Sequence, residues 1–349
     1  MSTVQETASV QDDVAQTQAA VSAARESRNA LNISRAASLI ALALMIAAPF
    51  FVRNFVVFQF TQIIIYGIAI MSLNILTGAS GQFSLGHSAF FAVGAYTTAI
   101  LMEHGDMNYI LTLPFAGAVC FIFGFLFGLP ALRLSGVYLA LATFSLAIAM
   151  PQFLKLGTFE YWTGGVQGLV VTKPDAPFGL HINQDVWLYY VTLAVALIMY
   201  ILSLNLLNSR TGRAMMAIRD NQIAASSMGV NLALYKTLSF GISAGMTGVA
   251  GGLAAIVVAF VAPDGYSITF ANQLFLAMVI GGVGWLPGSL AGGAFIVLVP
   301  NMAESISKGL AGAVFGVFIF ALIFLFPNGA RQAAYLGAYW IRRLMGGGK

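Results

Sequence analysis

Long apolar runs separated by short polar interruptions set the plan of this chain. A helix needs about 20 apolar residues to cross a hydrocarbon core. That length predicts about ten crossings, near residues 36–52, 55–77, 83–102, 110–131, 134–155, 187–207, 235–262, 270–284, 286–302 and 309–327. The eighth and ninth are short and broken by glycine. The expected fold is an all-α polytopic membrane protein with Gly-broken segments and both termini cytoplasmic. Residues 35–328 form its transmembrane domain. Residues 1–34 are polar, with Glu6, Asp12, Asp13 and Glu26 among Gln, Ala and Ser. They lack the basic start and immediate apolar run of a secretory signal, so they read as an uncleaved cytoplasmic tail. Residues 329–349, with Tyr335, Tyr339, Trp340, Arg342 and Arg343, read as an interfacial tail.

Composition supports the membrane reading. The 349 residues are 59% hydrophobic and only 8% charged, where a soluble domain carries about 25% charge. The 37 glycines fit helices that approach one another closely. With a cytoplasmic N-terminus, Arg53, Lys155, Lys173 and Lys308 fall outside and the other twelve of the 16 Lys and Arg fall inside. Cytoplasmic enrichment of basic residues is the general rule, and an odd error in the span count would scramble this split. The net charge of +4 is spread over loops and tails, which is no nucleic-acid signal. The lone cysteine, Cys120, excludes a disulfide framework.

The sharpest interruption is Gly-Ala-Ser-Gly-Gln-Phe-Ser-Leu-Gly-His, residues 78–87. Gly78, Gly81 and Gly86 permit backbone conformations closed to other residues. Freed backbone groups need partners inside a bilayer. The run is therefore either a tight turn between two helices at the cytoplasmic surface or a discontinuous helix lining a solute pathway. On the pathway reading, Gln82, Ser84 and His87 are candidate pathway residues. A second break, Gly281-Gly282-Val283-Gly284-Trp285-Leu286-Pro287-Gly288-Ser289-Leu290, echoes the first: both carry Gly-x-x-Gly followed by Ser-Leu. Paired breaks in two halves point to a site between the halves; shared turn chemistry is the competing explanation.

Two polar loops complete the set. In the outer loop, 156–186, Tyr161 and Trp162 read as interfacial aromatics. Thr163, Gly164 and Gly165 form a candidate concavity of backbone donors and join the pathway residues. In the cytoplasmic loop, 208–234, Asp220 or Asn221 is placed to cap a short helix, and Gly229 to end it in the left-handed conformation. The small Ala224, Ala225, Ser226 and Ser227 lie between, suited to docking in a partner's groove. Arg213 and Arg219 flank the region and are placed to pair with acids.

Several chemistries drop out. No Gly-Lys-Ser/Thr phosphate loop occurs. His87, His104 and His181 show no metal spacing, and there is no Gly-x-Ser-x-Gly elbow. An intramembrane carboxylate would mark an ion relay. The acids instead fall in loops and tails: Glu103, Asp106, Glu160, Asp175, Asp185, Asp220, Asp264 and Glu304. That argues for an external energy source over ion coupling. A stand-alone secondary transporter is the remoter alternative, and an intramembrane enzyme centred on His87 is remoter still.

From about residue 60 to 328 the chain resembles the permease subunits of branched-chain amino acid ABC importers, the LivM-like branch. The resemblance rests on Leu73–Gly78 through Gly81-Gln82-Phe83-Ser84-Leu85-Gly86-His87, then Leu132–Ala140, Thr163-Gly164-Gly165 with Gly168, Gly212-Arg213-Ala214, Ala217–Asp220, Ala224-Ala225, Gly229-Val230-Asn231 and Tyr235-Lys236. It departs at Ile223, where such importers often carry Glu before the two alanines. The resemblance implies a transport subunit of the bacterial inner membrane that is not itself an enzyme and has no cofactor or metal of its own. ATP would be bound by two partner subunits, docked at Arg213, Arg219, Asp220, Ala224, Ala225 and Gly229. It further implies a second, similar permease and a periplasmic substrate-binding protein. Urea, amides or aromatic acids are the alternative substrates.

Overall fold

The structure is a computed structural model, described here over residues 42–134, 136–177, 182–306, 311–325 and 329–332. The predicted polar tail, 1–34, and most of the predicted interfacial tail, 329–349, lie outside the described residues. The chain divides into two units, Met1–Asn54 and Phe55–Lys349. Within the first, α1 is a short apolar helix, Leu42–Phe51.

The second unit is almost wholly helical. It begins with α2 (Asn54–Leu73), α3 (His87–Glu103), α4 (Tyr109–Ala131), α5 (Val137–Leu154), the one-turn α6 (Glu160–Thr163) and α7 (Gln184–Asn208). Two short helices follow, α8 (Arg210–Asp220) and α9 (Gln222–Ser227). Then come α10 (Leu232–Val258), α11 (Ile268–Gly281), α12 (Gly288–Ile306) and α13 (Ala311–Leu325). A two-residue ribbon pairs β1 (Leu169–Val170) antiparallel with β2 (Phe260–Val261). This ribbon ties the 156–186 loop to the end of α10, reinforced by the Val171 N–H donating to the Ala259 carbonyl at 3.0 Å.

Every predicted crossing window contains a helix. Among the described residues, five helical segments are long and apolar enough to cross a membrane: Asn54–Ala79, Tyr109–Pro130, Val137–Leu154, Gln184–Asn208 and Leu232–Val258. The others are shorter or carry more polar residues.

Helix α10 is the axis of the unit. Its most apolar window is 83% buried, against 17% for that of α7, so α10 faces protein and α7 offers most of its surface outward. Small residues make the close approach possible. A Cβ on Gly94 of α3 would lie 2.1 Å from the Gly248 carbonyl oxygen, and one on Gly124 of α4 would lie 2.3 Å from the Ala244 Cβ. A Cβ on Gly251 would lie 2.0 Å from the Phe91 carbonyl oxygen. Backbone-to-backbone packing of this kind holds helices together where lipid removes the hydrophobic drive between them. The outward faces of α4 and α5 carry Leu111, Phe115, Ile122, Leu126, Tyr138 and Leu141, all exposed, as a lipid-facing surface requires.

Candidate functional site

Helix α2 does not end cleanly. Its last turn widens into a π-helical segment, Asn74–Ala79, a geometry frequent at functional positions. The chain then folds back: Gly81 takes φ +70°, and its N–H donates to the Thr77 carbonyl at 3.1 Å. Residues 80–86 pack back into the protein, and α3 restarts at His87. Ser80, Gln82, Ser84 and His87 are all buried.

Burial on this scale requires partners, and α10 supplies them. Ser239, Ser243 and Thr247 recur every four residues and so line one face of that helix. Gln82 Nε2 donates to Ser80 Oγ and Ser239 Oγ, each at 2.6 Å, and to the Lys236 carbonyl at 3.3 Å. The His87 ring bridges Ser84 Oγ (3.0 Å to Nδ1) and Ser243 Oγ (2.7 Å to Nε2). Ser243 Oγ donates to the Ser72 carbonyl at 2.8 Å, and Ser72 Oγ lies 2.6 Å from Thr247 Oγ1. The result is a continuous polar row between the break and α10. The interruption is thus a packed re-entry of the chain and more than a bare surface turn.

The second break lies directly against the first. Asn74, fully buried, joins them with both ends of its amide: Nδ2 donates to Ser289 Oγ at 3.2 Å, and Oδ1 accepts the Gly284 N–H at 2.9 Å. A Cβ on Gly78 would lie 2.7 Å from both the Cα and the nitrogen of Gly284. Only glycine allows that approach. Gly282 and Gly284, at φ +102° and +76°, turn the chain out of α11. Gly281 packs on Gly288, whose carbonyl oxygen would meet a Gly281 Cβ at 2.4 Å.

The α8–α9 loop reaches the same place. Arg219 Nη1 donates to the Gly78 carbonyl at 2.7 Å, while Nε and Nη2 grip Asp220 Oδ1 at 2.9 and 2.8 Å. Gly81 packs on the Arg219 side chain, whose Cγ would lie 2.8 Å from a Gly81 Cβ. Asn221 Oδ1 caps α9 by accepting from the Ile223 and Ala224 N–H groups, both at 3.0 Å, and Gly229 follows at φ +81°. These are the predicted cap and stop. Of the two flanking arginines, Arg219 pairs with an acid, whereas Arg213 donates to the Asn208 carbonyl at 2.8 Å. Ala225 is buried, and Ile223 and Met228 are exposed at 80% and 86%.

Residues of the 156–186 loop do not join this assembly. His104, at the far end of α3, holds α6 through the Tyr161 carbonyl at 3.1 Å and packs on Tyr161 and Trp162. Helix α3 has 17 residues, so that end is about 25 Å from His87. The predicted concavity of free donors is not formed: the Gly164 N–H donates to the Glu160 carbonyl and the Gly165 N–H to Thr163 Oγ1. Thr163 Oγ1 itself is held by the Leu154 carbonyl at the end of α5 and the Phe159 carbonyl in the loop. Gly164, Gly165 and Gly168, at φ +69°, +56° and +77°, serve a tight turn. Sequence reading placed Ser80 and Ser289 in the breaks without a role and missed Ser72, Asn74, Ser239, Ser243 and Thr247. The four-residue spacing of the α10 hydroxyls in an apolar helix was the available signal.

Residues 55–327 match the family model described as the branched-chain amino acid transport system permease component. The chain belongs to this family. It is 34% identical over 268 residues to the high-affinity branched-chain amino acid transport system permease protein LivM of Salmonella typhimurium, and equally to that of Escherichia coli. Each match covers 70% of this chain and 62% of the relative, so the chain spans less than two thirds of those LivM proteins. It is 25% identical over 256 residues to a probable branched-chain amino acid transport permease protein, LivH, of Methanocaldococcus jannaschii, covering 70% of this chain and 77% of that one. No solved structure matches it significantly. As a member of this permease family with several spanning helices, it is a multi-pass membrane protein.

Proposed function

We propose that the chain is the membrane-spanning subunit of a binding-protein-dependent ABC importer, forming part of the pathway for branched-chain or related amino acids. The observation that carries this reading is the three-way junction of the two glycine breaks with Arg219. A transport subunit powered from outside needs a pathway element that can part and a rigid link from that element to the cytoplasmic surface. The junction supplies both. Family membership and the LivM and LivH relatives supply the substrate class.

On this reading the polypeptide crosses about ten times with cytoplasmic termini in the bacterial inner membrane. Gly78–His87 and Gly281–Ser289 form the inner gate, with Gln82, Ser84 and His87 positioning the first break. The α8–α9 loop receives an ATPase subunit, one on each of two permeases, the second being a LivH-like relative. Exposed Ile223 and Met228 give α9 an apolar rim where other importers place a Glu, so docking draws on burial more than on an ion pair. The Thr163-Gly164-Gly165 turn belongs to the outer surface, where a periplasmic binding protein delivers substrate. ATP is bound by the partners. Movement of α8 is transmitted by Arg219 to the Gly78 carbonyl, and the junction alternates between two packed arrangements.

Reconstitution tests this. The chain alone in proteoliposomes is expected to take up no leucine and hydrolyse no ATP. With a second permease, two ATPases and the binding protein, uptake and binding-protein-stimulated hydrolysis appear. Leucine uptake by the chain alone would overturn the reading.

A further inference from the structure

Five aromatic rings close on one another beyond the polar row. Phe91 is central: its ring centroid lies 6.2 Å from that of Tyr66, 5.9 Å from Tyr266 and 5.1 Å from Phe270. Tyr266 also meets Tyr96 at 6.3 Å and Phe270 at 6.4 Å. The rings come from α2, α3, α11 and the turn Pro263–Tyr266.

Three features set this cluster apart from ordinary core. First, three of the five rings are phenols, and a buried phenol normally finds a hydrogen-bond partner. The Tyr96 hydroxyl is buried and has none among the described residues. Second, the helices that carry the rings are those that end at the two breaks: α2 runs into the first, α3 leaves it, and α11 stops at the second. Parting the breaks therefore moves the rings. Third, the cluster continues the polar row. Gly251, one turn beyond Thr247 on α10, packs on the Phe91 carbonyl, and Tyr96 stands nine residues along α3 from His87, about 13 Å.

We propose that this cluster is the intramembrane station for the aliphatic side chain of the transported amino acid, with the Tyr96 hydroxyl as its polar contact. The proposal rests on the importer reading above and names where that importer holds its cargo. Apolar and aromatic walls with a few placed polar groups are what a small-molecule site uses. An aliphatic side chain fits between flat rings, and a hydroxyl without a partner gains one when an amino or carboxyl group arrives. The cluster's own five side chains are uncharged, which suits leucine and valine, and the charge that acts on Tyr96 is that of Asp264, ion-paired with Lys155, which disfavours acidic cargo. In the arrangement seen here the rings touch, so the station is shut.

Labelling in the assembled importer tests it. With Cys120→Ala as background, Phe270→Cys is treated with a membrane-permeant maleimide during turnover, with and without L-leucine. Leucine is expected to slow labelling, L-glutamate is not, and Tyr96→Phe is expected to lower leucine and valine uptake alike by about tenfold, leaving their ratio unchanged. If Phe270→Cys fails to assemble, the half-buried Tyr66→Cys takes its place. Equal labelling with and without leucine, or unchanged leucine and valine uptake by Tyr96→Phe in an assembled, ATP-hydrolysing complex, would overturn the proposal. A wild-type complex that takes up no leucine would contradict the importer reading itself.

Discussion

Adding one methyl group at Gly78 probes the junction directly. In the structure a Cβ there falls 2.7 Å from the Cα and nitrogen of Gly284, where carbon atoms pack at about 3.5–4.0 Å. Both obstacles are backbone, so no rotamer change relieves the clash, and Gly78→Ala must push the breaks apart by about 1 Å. The cost is that of overpacking, about 1–3 kcal/mol. Stretching the bond from the Gly284 N–H to Asn74 adds about 1 kcal/mol. Because the strain exists only while the breaks touch, it falls on the arrangement seen here. A shift of about 2 kcal/mol changes the balance of two states roughly 30-fold. In the assembled importer, Gly78→Ala is therefore expected to keep its ATPase partners, raise basal ATP hydrolysis and lose most leucine uptake. Gly284→Ala is the control. Its Cβ would meet nothing closer than 4.0 Å, and its cost is the left-handed backbone at φ +76°, about 1–2 kcal/mol. It should lower thermal stability yet retain more uptake than Gly78→Ala. Equal uptake by Gly78→Ala and wild type would refute the reasoning.

Further outcomes follow from neighbouring contacts. Arg219→Gln removes the charged donor to the Gly78 carbonyl and should cut uptake more than ATPase co-purification, at a stability cost of about 1 kcal/mol for this partly exposed group. Gln82→Leu removes two buried side-chain bonds and leaves Ser80 and Ser239 with each other at 3.1 Å and with the Lys236 carbonyl, and a loss of about 1 kcal/mol should appear as a lower melting temperature of the purified complex. Gly229→Asp meets open space and a left-handed backbone that Asp tolerates; detergent-extracted variant should fold but fail to retain ATPase subunits. Gly86→Leu would drive its Cβ to 2.6 Å from the Thr143 carbonyl oxygen, so membrane expression and transport should fall together.

The helical plan was legible because apolar length is a strong signal: each crossing window holds a helix, and the α9 cap at Asn221 and stop at Gly229 follow from local chemistry alone. Both glycine breaks were legible as breaks, since Gly78, Gly81, Gly282 and Gly284 sit where the chain turns or approaches another backbone. Their mutual contact was hinted at only by the Gly-x-x-Gly and Ser-Leu echo. What joins them is Asn74, which looked like one polar residue in an apolar helix, because its partners lie more than 200 positions away in the chain. The α10 hydroxyls were hidden for the same reason. Thr163, Gly164 and Gly165 were misplaced because a turn and a donor-lined concavity use the same residues. Only the bonds from the Gly164 and Gly165 N–H groups into the loop tell the two apart.

The central claim is that the two breaks form one junction that opens during transport. Phe83 and Val283 are exposed members of the two breaks, at 49% and 46%, and accept labels without disturbing the buried contacts. Spin labels at Phe83→Cys and Val283→Cys in the assembled importer, with Cys120→Ala, report the separation of the breaks by pulsed electron resonance. A short distance is expected in the resting complex and a second, longer one when ATP is held without hydrolysis. A single distance, unchanged across nucleotide states in a complex that transports leucine, would contradict it.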